Sequence, residues 1–109
     1  MVMTTALEVR LEGVMQQAAL LQFRDLLGLE KAGRLTDSED VDFGFRYLQK
    51  DDRNWIRLNL SRQDDSHWQV FLRHLTSPPT DKAVDQILGE IHTAATQLGF
   101  TVGEVIRRA

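Results

Sequence analysis

The clearest pattern in the chain is alternation between apolar and polar side chains over residues 41–75. Val41, Phe43, Phe45 and Tyr47 alternate with Asp42, Gly44, Arg46 and Leu48. Ile56, Leu58 and Leu60 alternate with Trp55, Arg57, Asn59 and Ser61, and Trp68, Val70 and Leu72 with His67, Gln69, Phe71 and Arg73. A period of two is the mark of a strand with one buried face. The runs are separated by Lys50-Asp51-Asp52-Arg53-Asn54 and Arg62-Gln63-Asp64-Asp65-Ser66. Both are short polar segments suited to turns, and loops this short join antiparallel neighbours. The segment therefore predicts an antiparallel β meander.

Leu7, Val9 and Leu11 alternate with Glu8, Arg10 and Glu12 and predict a further strand ending at Gly13. A single long helix from Thr5 to Gly28 is the competing reading, since Leu7, Leu11, Val14, Ala18 and Leu21 also fit a helical stripe. Gly13 inside that helix would cost about 1 kcal/mol relative to Ala, which favours the strand. Val14 to Leu27 holds good helix formers without Gly or Pro, and Gly28 supplies a C-terminal cap. Its apolar residues cover so much of the helix that it must be buried or meet a partner. Ser77-Pro78-Pro79 ends the meander, and Thr80 with Asp81 starts a second helix. Val84, Ile87, Leu88, Ile91, Ala95 and Leu98 form its 3.6-residue stripe, Gly99 ends it, and an extended segment opens at Phe100.

The expected fold is one α+β domain over residues 1–109, with an antiparallel sheet of three to five strands and two helices on one face. The order is β-α-β-β-β-α-β, or α-β-β-β-α-β if the start is helical. The first order is close to a ferredoxin-like split β-α-β arrangement with one extra strand.

Composition narrows the chemistry. The chain has 109 residues and no cysteine, which excludes disulfides, zinc–thiolate sites and thiol nucleophiles. The start of the chain lacks a basic segment followed by an apolar run, so a cytoplasmic location is expected. The apolar stretch from Val14 to Leu29 is interrupted by Gln16, Gln17, Gln22, Arg24 and Asp25 and is not a membrane span. The net charge of −3 disfavours nucleic acid as a partner. The charge is uneven: residues 1–42 carry four basic and eight acidic side chains, whereas residues 43–75 carry six basic and four acidic.

Candidate catalytic groups are scarce. His67 and His74, seven apart on one strand, point to opposite faces and cannot share a metal, and His92 and Glu90 lie on different faces of a helix. The histidines read as surface or boundary residues. The acidic run Asp37-Ser38-Glu39-Asp40-Val41-Asp42 lacks the Gly and Glu spacing of a calcium loop. It reads as a solvated connection, or as a capping box formed by Thr36 and Glu39. Phe43-Gly44-Phe45 resembles the aromatic core of an RNA-recognition strand, but Val41-Asp42 and Arg46 stand where a basic residue with Gly and an aliphatic belong. A buried aromatic row is the expectation.

If Phe43, Phe45 and Tyr47 face the helices, alternation puts Arg46, Leu48, Trp55, Arg57, Asn59, Gln69, Phe71 and Arg73 on the open face. Arg and large aromatics together are enriched at interface hot spots. Arg46, Trp55, Arg57, Asn59, Phe71 and Arg73 are therefore the candidate partner-binding residues. No catalytic residue, metal ligand or cofactor is expected. The expected function is a non-enzymatic protein–protein interaction module: a small acidic binder, an inhibitor, or an immunity- or chaperone-type protein. The fold order alone is loosely similar to secretion-chaperone and toxin-immunity domains. A regulatory domain binding a small anion, or a single-stranded nucleic-acid binder, are the alternatives. Homo-oligomerisation would use the first helix or an exposed strand edge.

Overall fold

A computed structural model of the chain describes residues 4–13, 16–31, 41–64 and 67–108. The elements run β1 (Thr4–Glu12), α1 (Gln17–Leu26), β2 (Glu30–Lys31), β3 (Val41–Lys50), β4 (Trp55–Asp64), β5 (His67–His74), α2 (Asp81–Leu98) and β6 (Thr101–Arg107). Thr4–Glu12 is thus a strand rather than part of a long helix, and β3, β4 and β5 form the meander. The acidic run from Asp37 to Asp40, with Thr36, and the tip of the second turn at Asp65-Ser66 lie outside the described residues. So do Val14 and Met15, with which the first helix was expected to begin.

The six strands form one antiparallel sheet in the order β2-β3-β4-β5-β1-β6. β1 lies between β5 and β6 and is antiparallel to both, so β5 and β6 run parallel to each other with α2 connecting them. This is the split β-α-β feature, and the meander extends the sheet beyond it. The sheet is wider than the three to five strands expected, because two-residue β2 pairs Glu30 with Phe45 and Lys31 with Gly44.

The helix ends explain how the chain reaches its next strand. Gly28 and Gly99 adopt positive φ of 67° and 78°, the left-handed conformation that glycine enters without a Cβ clash. In each case the following amide reaches back to a carbonyl in the last turn: Leu29 N–H to Arg24 O at 3.0 Å, and Phe100 N–H to Ala95 O at 2.8 Å. This capping geometry turns the next side chain inward. Leu29 and Phe100 are both buried, and the Phe100 ring lies 5.6 Å from that of Phe23. At the start of α2, the Thr80 hydroxyl oxygen accepts from the Ala83 amide at 3.2 Å.

Both helices bury their apolar stripes against the same face of the sheet. One cluster joins Leu20 and Phe23 of α1 with Leu27 at its C-cap, Val84, Ile87 and Ile91 of α2, and Leu7, Val9, Leu11, Leu58, Leu60, Trp68, Val70 and Leu72 of the sheet. Leu7, Val9 and Leu11 are fully buried, as befits a strand with neighbours on both sides and helices above it. Arg107 ties β6 to α2, donating to Asp85 Oδ1 at 2.6 Å and approaching Asp81 at 3.6 Å. The Asp85 carboxylate raises the guanidinium pKa further.

The β3–β4 turn is held by side chains on both its flanks. Asp51 Oδ1 accepts from the amides of Arg53 and Asn54 at 2.9 and 2.8 Å, and Gln49 donates to Asp51 Oδ2 at 2.8 Å. Buried Asn54 ties the turn to the segment after β5: its Oδ1 accepts from Thr76 and Ser77, and its Nδ2 donates to Ser77 O. Replacing Asn54 by Ala leaves these backbone groups without partners and is expected to cost about 1–3 kcal/mol, measured by urea denaturation. The hydrogen bonds from Gln49, Arg53 and Asn54 hold the Asp51 carboxyl below the ordinary carboxylate range. Its contribution to stability is therefore present above the ordinary pKa and lost as pH falls through the lowered value. The stability gap between wild type and Asp51→Asn should stay level above about pH 5 and narrow below about pH 4. A gap that persists unchanged into acid would exclude this role for the carboxylate.

Candidate functional site

The helix-free face differs from the one that simple alternation predicts, and β3 is the reason. Its pairing with β4 shifts register between Asp42 and Gly44 and again between Tyr47 and Gln49. An extra residue in one strand inverts the sidedness of everything that follows until the next irregularity. Gly44 and Arg46 consequently face the helices, whereas Phe45 and Tyr47 face away. The close packing at Gly44 confirms its side: a Cβ there would sit 3.0 Å from the Arg24 side chain and 3.1 Å from Leu29 Cβ.

Arg46 is thus a correction to the expected site. It is paired with core residue Leu58, donates from Nη1 to Leu27 O at the end of α1 at 2.9 Å, and approaches Glu90 of α2 at 3.6 Å. Leu48, also expected on the open face, lines a groove beside α2 with Gln49 and Ile56. Phe43 is buried against Trp68 with ring centroids 5.4 Å apart, so the aromatic row splits, with Phe43 inside and Phe45 and Tyr47 outside.

The β4 and β5 residues fall on the predicted side. Cross-strand pairs share a face, and the helix-free side carries the pairs Phe45–Asn59, Tyr47–Arg57, Lys50–Trp55, Arg57–Arg73 and Asn59–Phe71. Its aromatics meet edge to face: Phe45 and Tyr47 at 6.0 Å, Tyr47 and Trp55 at 6.4 Å. Cations cover the ring faces, with Lys50 4.7 Å over Tyr47, Arg57 5.2 Å over Trp55 and Arg73 4.3 Å over Phe71. Contacts of this kind are worth about 0.5–1 kcal/mol at exposed sites and hold the side chains in one arrangement.

Two expected contact residues are not at the surface. Asn59 is 0 % exposed and Phe71 8 %, and their neighbours Ser61 and Gln69 are also buried. Asn59 sits between Phe45 and Phe71 on adjacent strands, and its Oδ1 accepts from Arg57 Nε at 2.9 Å. Asn59 and Phe71 therefore form the floor that orients Arg57 and Arg73. The half-exposed surface consists of Phe45, Tyr47, Trp55, Arg57 and Arg73, with exposed Lys50 at its end. Phe45, Tyr47 and Lys50 escaped the sequence reading. The available signal was Gly44, since a glycine inside an alternating strand marks a bulge.

The remaining candidates stay dispersed. His67 and His92 are exposed, but His74 is buried, contrary to its reading as a surface or boundary residue, because it occupies the helix-facing phase of β5 opposite Ile56. Among the described residues no group of three or more His, Cys, Asp or Glu side chains is placed to hold a metal ion. Asp51 and Asp52 lie in the exposed β3–β4 turn. No helix among the described residues is long and apolar enough to cross a membrane. No protein-family model, curated protein or solved structure matches the chain.

The opposite placements of two arginines are directly measurable. Arg46→Met removes the bond to Leu27 O and should cost about 1–2 kcal/mol in chemical denaturation. Arg73→Met, on the helix-free surface, should change stability by about 0.5 kcal/mol or less. Equal costs would contradict the bulged register of β3.

Proposed function

We propose that the chain is a non-enzymatic protein–protein interaction module that docks a partner on the helix-free face of its sheet. One observation carries the reading: Phe45, Tyr47 and Trp55 form a connected aromatic surface with Lys50 and Arg57 over its rings, and Arg73 lies beside it over Phe71. Strands β3, β4 and β5 hold it rigidly. Aromatic and arginine side chains dominate binding energy at interfaces because they bury large areas and form charge-assisted hydrogen bonds. A surface already ordered by its own contacts loses little further entropy on binding. The complementary partner presents carboxylates around an apolar side chain. The excess of basic residues over 43–75 supports that polarity.

The cations also weigh against a single-stranded nucleic-acid platform. Base stacking needs open ring faces, whereas Lys50 and Arg57 each occupy one face of Tyr47 and Trp55, and Phe71 is buried.

Quantitative affinity capture from native lysate, compared between wild type and Trp55→Ala/Arg57→Ala/Arg73→Ala, tests the proposal. A specific protein should be retained by the wild type and lost about tenfold or more from the folded triple variant, the scale of hot-spot truncation. A Lys82→Ala control on α2 should retain it. Capture that survives in the folded triple variant would refute the assignment, as would salt-sensitive oligonucleotide binding in place of a protein.

A further inference from the structure

The other side of the sheet carries a groove that the proposed partner surface does not use. Six strands about 4.8 Å apart place the outermost axes about 24 Å apart. Two helices, each about 10 Å across, fall short of that width. The shortfall appears beside α2, where a cavity of about 540 Å³ opens between its N-terminal half and the β3–β4 strands. This volume lies within the usual range of small-molecule sites, about 300–1,000 Å³. Leu48, Ile56, Pro79 and Ile87 give the groove an apolar body, and Arg46 and Glu90 supply its charges.

Arg46 is the group that points to a ligand. Its bond to Leu27 O fixes the guanidinium, whose side chain is 31 % exposed. A guanidinium has five N–H donors, and its carboxylate neighbour Glu90 stands at 3.6 Å, beyond the roughly 2.7–2.9 Å of a charge-assisted hydrogen bond. Glu90 is the more exposed of the two at 42 % and can swing into water. A ligand carboxylate could then take the remaining Arg46 donors while its hydrocarbon part covers Leu48, Ile56 and Ile87. Among the described residues, Arg46 is the sole cationic side chain lining the groove, which matches one negative charge rather than two.

We propose that this groove binds a small amphipathic monocarboxylate, with Arg46 holding the carboxylate in place of Glu90. The site lies across the sheet from Tyr47 and Trp55, so its test is independent of the protein-docking proposal.

The experiment is an NMR titration of the ¹⁵N-labelled protein with sodium octanoate, 1-octanol and octylamine. Octanoate should shift the amides of Leu48, Ile56, Ala83 and Ile87 and bind about fivefold or more tightly than octanol, the scale of one charge-assisted hydrogen bond. Arg46→Gln should abolish that preference. Glu90→Gln, which frees Arg46 without touching its bond to Leu27, should tighten octanoate binding about two- to fivefold and leave octanol unchanged. The Glu90→Gln result decides the matter if Arg46→Gln fails to fold. Equal binding of octanoate and octanol, stronger binding of octylamine, shifts confined to other surfaces, or no response to Glu90→Gln would each overturn the proposal.

Discussion

Two helices must cover one face of a six-stranded sheet, and the rest of the molecule follows from how that covering is shared out. The core is deepest at β1, β4 and β5, where Leu7, Val9, Leu11, Leu58, Leu60, Val70 and Leu72 are fully buried. β1 is the keystone of the arrangement. It pairs with β5 on one side and β6 on the other, joining the two ends of the chain within a continuous hydrogen-bonded sheet. Toward β3 the cover thins, and a half-buried arginine sits where a continuous core would place an aliphatic side chain.

Arg46 makes that placement tolerable. Burying a guanidinium without partners would be costly, but the carbonyl that it bonds is one that the end of α1 leaves without an intrahelical donor. The same side chain approaches Glu90, so one residue of the sheet bridges the two helices. On the other face the ordering works through rings. Asn59 and Phe71 form a buried floor, the aromatics stand edge to face upon it, and the cations lie over the rings. The result is a surface with its charge outermost and its apolar area immediately beneath, which supports the protein-docking reading.

Much of this was legible from residue pattern. The meander, the N-terminal strand, both helices with their glycine stops, the Thr80 cap and the final strand follow from periodicity and local backbone chemistry, which depend on neighbours in sequence. The facing of β4 and β5 was legible too, because their alternation is unbroken from Ile56 to Leu60 and from Trp68 to Leu72. β2 was not, since two exposed residues carry no periodic signal and pair only because the turn at Gly28 returns the chain beside β3. The burial of Asn59 and Phe71 was hidden as well, because it depends on side chains from adjacent strands.

The sequence by itself determined an α+β fold with an antiparallel meander, since alternating and helical periodicities can each bury their apolar residues in only one kind of element. Tertiary structure decided which way β3 faces. Its bulges at Asp42–Gly44 and Tyr47–Gln49 let Arg46 reach the end of α1 and put Tyr47 beside Trp55. A one-residue slip exchanges the two faces of a strand, and beyond the hint of a bulge that Gly44 gives, alternation does not register it, because the slip is set by pairing with β4 and by helices distant in sequence.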